Sequence, residues 1–106
     1  MSSVKLVDSH EAVELMESGA IVADIRDPGS FANGHIKGAV ALSNDNLQDF
    51  LDATEFDQPI IVCCYHGISS QSAAAFLIER GYESVYSLNG GFESWSLGMP
   101  DKVESA

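Results

Sequence analysis

The chain has 106 residues, 45% of them hydrophobic, which suits one ordinary globular domain that can bury its own core. Sixteen Asp and Glu against five Lys and Arg give a net charge of −11. This argues against nucleic acid and anionic membrane surfaces as partners, because both need clustered positive charge. No apolar run approaches a membrane span, and residues 1–7 lack the form of a signal peptide. The two cysteines are adjacent and cannot form a disulfide framework, so we expect a cytoplasmic protein.

Short apolar runs alternate with helix signals along the whole chain. Strands are predicted over residues 4–7, 21–25, 38–42, 59–63 and 85–88. Helices are predicted between Asp8 and Gly19, between Asp27 and Asn33, over 44–53, over 69–80, and after Gly90-Gly91. Asp8 with Glu11 fits a capping box, and Pro28 suits a first helical position. A polar tail is predicted over about residues 100–106.

Five alternations of strand and helix indicate one α/β domain over residues 1–106. The strand over residues 21–25 is too uniformly apolar to have one face in water, which is typical of a strand buried on both faces. We therefore expect a five-stranded, mostly parallel sheet with helices on both faces.

The stretch from residue 59 to 81 carries the most informative chemistry. Cys64 stands where a strand becomes a loop, at the edge of the sheet where α/β folds place their sites. Gly67 can take the positive φ of a tight anion-binding turn, and a helix begins near Ser69. Backbone N–H groups in such a turn stabilise a thiolate. Cys63 lies one residue earlier and points to the opposite side, so it is predicted to be a core residue.

Other chemistry at this loop has less support. A cysteine phosphatase needs an Arg at the far end of the loop to clamp phosphate, whereas Ser69 and Ser70 stand there. An uncharged loop fits a sulfur atom added to Cys64 better than it fits a phosphate group. His66 is either a base for Cys64 or a turn residue that partly faces solvent. No ligand spacing predicts a metal.

Four motifs occur in this order: VADIRD over residues 22–27, FANGHIKGA over 31–39, CYHGISS over 64–70 and YSLNGGFESW over 86–95. In this combination the chain resembles a single-domain rhodanese over nearly its whole length. The resemblance implies a rhodanese fold with its strands in the order 1-5-4-2-3.

The resemblance also assigns candidate site residues. It places the catalytic cysteine at Cys64 and the family's acidic residue at Asp24, with Arg26 two residues later. We interpret Asp24 and Arg26 as supporting residues that tie together the loop regions around the pocket. The implied loop for substrate and persulfide consists of Tyr65, His66, Gly67, Ile68, Ser69 and Ser70. Many active rhodaneses carry a basic residue where this chain has Tyr65 or Ser69, so backbone amides and hydroxyls are expected to be the main donors. The Gly34-His35 pair is interpreted as a turn towards the third strand, with His35 bonded to backbone rather than to substrate.

The implied activity is transfer of the sulfane sulfur of thiosulfate through a Cys64 persulfide, without a cofactor. The implied acceptors are cyanide in an assay, or thiols such as reduced thioredoxin. Two alternatives stay open, namely a relay subunit that receives persulfide from another protein and a rhodanese-like binding module without turnover.

Overall fold

The computed structural model describes residues 4–105, and strands alternate with helices along most of this range. The α-helices are α1 (Ser9–Glu17), α2 (Pro28–Asn33), α3 (Leu47–Ala53), α4 (Ser69–Glu79) and α5 (Gly91–Gly98). The strands are β1 (Lys5–Val7), β2 (Ile21–Asp24), β3 (His35–Ile36), β4 (Val40–Ala41), β5 (Ile60–Cys63), β6 (Val85–Leu88) and β7 (Val103–Glu104). Across this part of the chain, no helix has the length and apolarity needed to cross a membrane.

The main sheet has five strands in the order β1-β6-β5-β2-β4, and every neighbouring pair is parallel. Counted in chain order within this sheet, the strands read 1-5-4-2-3, as the resemblance implied. The predicted α/β fold is confirmed. Because β5 lies in the middle of the sheet, its carboxyl end opens between β2 and β6.

The helices cover both faces of the sheet, and β5 shows how the two cores divide. Ile60 and Val62 pack in the cluster that includes residues of α3 and α4. Ile61 and Cys63 point the other way, into the cluster that includes residues of α1 and α5. This alternation follows from the period of two in a strand. Cys63 has no exposed surface, so its prediction as a core residue is confirmed.

Side-chain caps at Asp8 and Asp27 mark the starts of α1 and α2. In the capping box of α1, the Glu11 N–H donates to Asp8 Oδ1 (2.8 Å) and the Asp8 N–H donates to Glu11 Oε1 (3.1 Å). The helix predicted from residue 44 begins instead at Leu47. The Asn46 side chain explains the shift, because it donates to the Ala41 carbonyl (2.7 Å) and accepts from the Ser43 N–H (2.8 Å). These bonds hold a turn in place of the first helical residues.

Residues 100–104 of the segment predicted as a polar tail are structured, whereas residue 106 lies outside the described residues. Pro100–Lys102 forms a 3₁₀ helix, and β7 pairs antiparallel with β3, where the sequence indicated only a turn. Buried Trp95 anchors the segment, since its Nε1 donates to the Lys102 carbonyl (3.1 Å). The predicted backbone bond of His35 is confirmed by its Nδ1 contact with the Phe31 carbonyl (2.7 Å).

Candidate active site

Cys64 directly follows β5, and its sulfur lies inside the loop that leads to α4. The sulfur accepts hydrogen bonds from the backbone N–H groups of Gly67 (3.0 Å) and Ser70 (3.3 Å). Ser70 Oγ lies 3.3 Å from the same sulfur. The residue is 6% exposed, so the sulfur is shielded but lies at the sheet edge.

The loop favours the thiolate form of Cys64. Burial by itself raises the pKa of this thiol, but hydrogen bonds from the Ser70 hydroxyl and from the N–H groups of Ser70, Gly67 and His66 outweigh burial and bring the pKa below its ordinary value. Donors aimed at sulfur stabilise the charged state, and the low pKa is the property of a reactive cysteine.

Helix α5 holds the loop in the shape that directs its N–H groups inwards. The Phe92 N–H donates to the Cys64 carbonyl (2.8 Å), and the Glu93 N–H donates to the Tyr65 carbonyl (3.0 Å). The first turn of a helix has N–H groups without helical partners, so these bonds satisfy both sides. With its carbonyls engaged by α5, the loop is free to present N–H groups to the sulfur.

Two glycines allow the close approach of loop and helix. Gly67 has φ +88°, and a Cβ there would lie 2.8 Å from the Gly90 nitrogen. Gly91 has φ +59°, and its Cβ would lie 2.5 Å from the Cys64 carbonyl oxygen. Both positions therefore require glycine on conformation and on space. From the sequence, Gly91 was predicted only as part of a turn, and the contact between Gly91 and the Cys64 loop was not predicted.

The remaining loop residues form the rim. Tyr65 and Ile68 are exposed, and so is His66, whose Nδ1 lies 3.6 Å from Glu93 Oε1 on α5. Within residues 4–105, the His66 imidazole makes no hydrogen bond to Cys64, which favours the interpretation as a turn residue. Ser69 is also exposed. The hydroxyl that lies next to the Cys64 sulfur is that of Ser70.

Asp24 and Arg26 form a buried ion pair beside the site. Arg26 Nε lies 3.1 Å from each carboxylate oxygen of Asp24, and Nη2 lies 2.8 Å from Oδ2. Nη2 also donates to the Gly34 carbonyl (2.7 Å), and the guanidinium stacks 4.1 Å above the centre of the Phe92 ring. The pair therefore connects the end of β2 to the α2–β3 junction and to α5, as a supporting role requires. A fork of this kind needs Arg rather than Lys.

Ser87 on β6 was missed by the sequence interpretation. It has no exposed surface, and its Oγ lies 2.7 Å from Ser70 Oγ. The available signal was one serine in a strand whose other residues are Val85, Tyr86 and Leu88.

A cleft of about 510 Å³ lies beside the loop, between α2 and α5. It is lined by Arg26, Ser30, Asn33, Gly34, Tyr65, Phe92, Glu93, Ser96 and Leu97. Across the described residues, no group of three or more His, Cys, Asp or Glu side chains could hold a metal ion.

A parallel sheet of this order with a cysteine loop at its edge defines the class of the protein. The family model of the rhodanese-like domain matches residues 8–97, and the chain belongs to the rhodanese family. Among curated relatives, thiosulfate sulfurtransferase GlpE of Stutzerimonas stutzeri is 51% identical over 98% of this chain and 95% of its own length. The GlpE protein of Pseudoalteromonas translucida is 50% identical over 94% of this chain and 96% of its own length.

Solved structures share the fold. CoADR-RHD of Bacillus anthracis superposes with a TM-score of 0.81 and 32% identity, covering 94% of this chain and 18% of that longer chain. A rhodanese-related protein of Thermoplasma volcanium superposes with a TM-score of 0.79 and 26% identity, covering 96% of this chain and 99% of its own.

Proposed function

We propose that this protein is a thiosulfate sulfurtransferase that carries the transferred sulfur on Cys64. The observation that carries the proposal is the Cys64 sulfur enclosed by the N–H groups of Gly67 and Ser70 at the end of a central strand. Two curated relatives named for this activity are about 50% identical to this chain over nearly its whole length. This similarity supports the choice of reaction.

In the first step, the Cys64 thiolate attacks the outer sulfur of thiosulfate. The bond between the two thiosulfate sulfurs breaks, its electron pair leaves with sulfite, and a Cys64 persulfide remains. The loop N–H groups stabilise the negative charge on the outer persulfide sulfur, in the manner of an oxyanion hole. Ser70 supplies a hydroxyl on the same side of the sulfur.

In the second step, a nucleophile takes the outer sulfur and the Cys64 thiolate leaves. Cyanide accepts it as thiocyanate, and small thiols can accept it as persulfides. A dithiol such as reduced thioredoxin takes the sulfur on one thiol, and its second thiol then displaces hydrosulfide and forms a disulfide. The covalent intermediate predicts ping-pong kinetics, and the chemistry needs no cofactor.

Both cysteines are free thiols, which suits a reducing compartment such as the cytoplasm.

Binding of the thiosulfate dianion rests on local donors. The chain carries a net charge of −11, and the loop positions after Cys64 and at the loop end hold Tyr65 and Ser69 instead of cations. Backbone N–H groups hold an anion without a full positive charge. The uncharged loop also fits a second function, that of a relay subunit that receives its sulfur from another persulfidated protein. A binding module without turnover has less support, because it would not need a nucleophile enclosed by donors.

Intact mass spectrometry tests the proposal. Incubation with thiosulfate should add one sulfur atom, about 32 Da, and cyanide should remove it. Cys64→Ser should lose this gain, and Cys63→Ser serves as the matched control because it should keep it. A gain that persists in Cys64→Ser and disappears in Cys63→Ser contradicts the assignment. Undetectable thiosulfate turnover alongside fast loading from a persulfidated protein favours the relay function.

A further inference from the structure

A chain of two buried hydroxyls leads from β6 to the Cys64 sulfur. Ser87 Oγ lies 2.7 Å from Ser70 Oγ, which lies 3.3 Å from Cys64 Sγ. Ser70 and Ser87 have no exposed surface. Within residues 4–105, the Ser87 side chain hydrogen-bonds Ser70 and no other group. A hydroxyl buried in a core strand destabilises the fold unless it is hydrogen-bonded, so this one depends on Ser70.

The topology explains why the two hydroxyls meet. Ser87 lies two residues after Val85, so both side chains point to the face of the sheet that α4 covers. Ser70 is the second residue of α4, at the end of the helix next to the Cys64 loop. The parallel register of β5 and β6, which pairs Val62 with Ser87, places that hydroxyl beside the carboxyl end of β5.

The direction of hydrogen bonding along this chain depends on the charge of Cys64. Each serine hydroxyl has one proton and can also accept. When Cys64 is a thiol, its S–H donates to Ser70, and Ser70 donates to Ser87. When Cys64 is a thiolate, Ser70 turns its proton towards the sulfur, and Ser87 donates to Ser70 in its place. A hydroxyl that accepts a hydrogen bond is also a stronger donor, so Ser87 strengthens the bond from Ser70 to the sulfur.

We propose that Ser87 is a positioning residue, which orients the Ser70 hydroxyl towards the charged sulfur of Cys64 and its persulfide. For the persulfide this rests on the proposed function, whereas for the thiolate it rests on the hydroxyl chain alone. Ser87 acts through Ser70 and does not touch the reacting atoms.

Substitution of Ser87 leaves the ionisable groups around Cys64 in place. These are Cys63 in β5, the Asp24–Arg26 pair after β2, and exposed His66 with its partner Glu93 on α5. A change in Cys64 ionisation in Ser87 variants therefore reports on the hydroxyl chain.

The test measures the rate of Cys64 alkylation by iodoacetamide from pH 5 to pH 10, in a Cys63→Ala background so that one thiol reports. We expect Ser87→Ala to slow alkylation at pH 7 about 3-fold by raising the Cys64 pKa, and Ser70→Ala to slow it about 10-fold. The double variant should match Ser70→Ala, because Ser87 has nothing to orient once Ser70 is absent. Ser84→Ala, just before β6, is the control and should leave the pH profile unchanged.

A further pair of variants separates the hydroxyl from the packing. Ser87→Thr and Ser87→Val have nearly the same shape, but only threonine keeps the hydroxyl. Threonine should retain the pH profile of the parent, and valine should shift it as alanine does. Identical profiles for threonine and valine overturn the proposal, and so does an effect of Ser87→Ala that persists in full when Ser70 is alanine. Alkylation does not involve sulfur transfer, so a protein that shows the shift but gains no sulfur from thiosulfate refutes the proposed function alone.

Discussion

Cys63 and Cys64 are neighbours in the chain, yet their sulfurs lie in opposite environments. Both are buried, with 0% and 6% exposure. Burial raises the pKa of Cys63 far above its ordinary value, and the Asp24 carboxylate raises it further. At Cys64 the same effect of burial is reversed by the Ser70 hydroxyl and three backbone N–H groups. Directed donors, rather than exposure, therefore set the direction in which the pKa of each thiol shifts.

The largest expected effect comes from exchanging the nucleophile. Cys64→Ser should lower thiosulfate:cyanide turnover by at least about 1000-fold, because a serine hydroxyl is not ionised by this loop. Cys63→Ser should retain turnover within a few-fold. Thiocyanate formation under saturating thiosulfate measures both. Equal losses in the two variants would show that the cysteines do not differ in role.

Disrupting the loop while keeping the cysteine should have the next largest effect. Gly91→Ala places a Cβ 2.5 Å from the Cys64 carbonyl, so the loop must move away from α5 and its N–H groups must turn from the sulfur. We expect turnover to fall about 100-fold, in line with the loss of oriented donors.

Gly19→Ala is the matched control for that substitution. Gly19 also has a positive φ (+106°), but a Cβ there meets nothing within 4 Å. The variant should lose about 1 kcal/mol of unfolding free energy from backbone strain while keeping its turnover. Similar losses of turnover in both variants, measured at a temperature where both are folded, would contradict the role of the α5 contact.

The two cysteines should affect stability with opposite sign as pH changes. Cys64 has a lowered pKa in the folded state, so its stabilisation is present above the pKa of an unfolded thiol, about 8.5, and is lost as pH falls through the folded value. Cys63 has a raised pKa, so its stabilisation is present below about pH 8.5 and is lost as pH rises above it.

Chemical denaturation across this range measures both contributions. Between pH 9 and pH 10, Cys63 should reduce the unfolding free energy with a slope of up to about 1.4 kcal/mol per pH unit. Cys63→Ala should remove that slope, and Cys64→Ala should leave it in place. A slope that persists in Cys63→Ala and disappears in Cys64→Ala would show that Cys64, rather than Cys63, is the thiol with the raised pKa.

The smallest expected effect is that of ionic strength, which changes the long-range repulsion of thiosulfate but not its hydrogen bonds to the loop. Thiosulfate is a dianion, and the chain has a net charge of −11. Raising the ionic strength from about 20 to 200 mM should screen this repulsion and raise kcat/KM for thiosulfate about 2-fold. Cyanide is supplied largely as neutral hydrogen cyanide at pH 7, so its own kinetic constant should change less. A fall in kcat/KM for thiosulfate with added salt would indicate a cationic binding site that the loop sequence lacks.

Local signals in the sequence were enough for much of the fold. The capping box at Asp8 and Glu11 acts over three residues, and strand alternation sets Cys63 and Cys64 apart whatever the rest of the chain does. The strand order came from the resemblance to rhodaneses, which also assigned the catalytic role to Cys64. The strand order is confirmed, and the catalytic role of Cys64 stays a prediction until it is measured.

The hydrogen-bond partners around the site depend on contacts between residues that are distant in the chain. Ser87 meets Ser70 across 17 positions, and Glu104 meets His35 across 69. The first contact depends on the register of β5 and β6, and the second on the pairing of β3 with β7, neither of which a local pattern encodes. Local patterns were therefore enough to place Cys64 at the end of a strand and Cys63 in the core. The tertiary structure decided which donors reach its sulfur, because those donors come from separate elements that packing brings together.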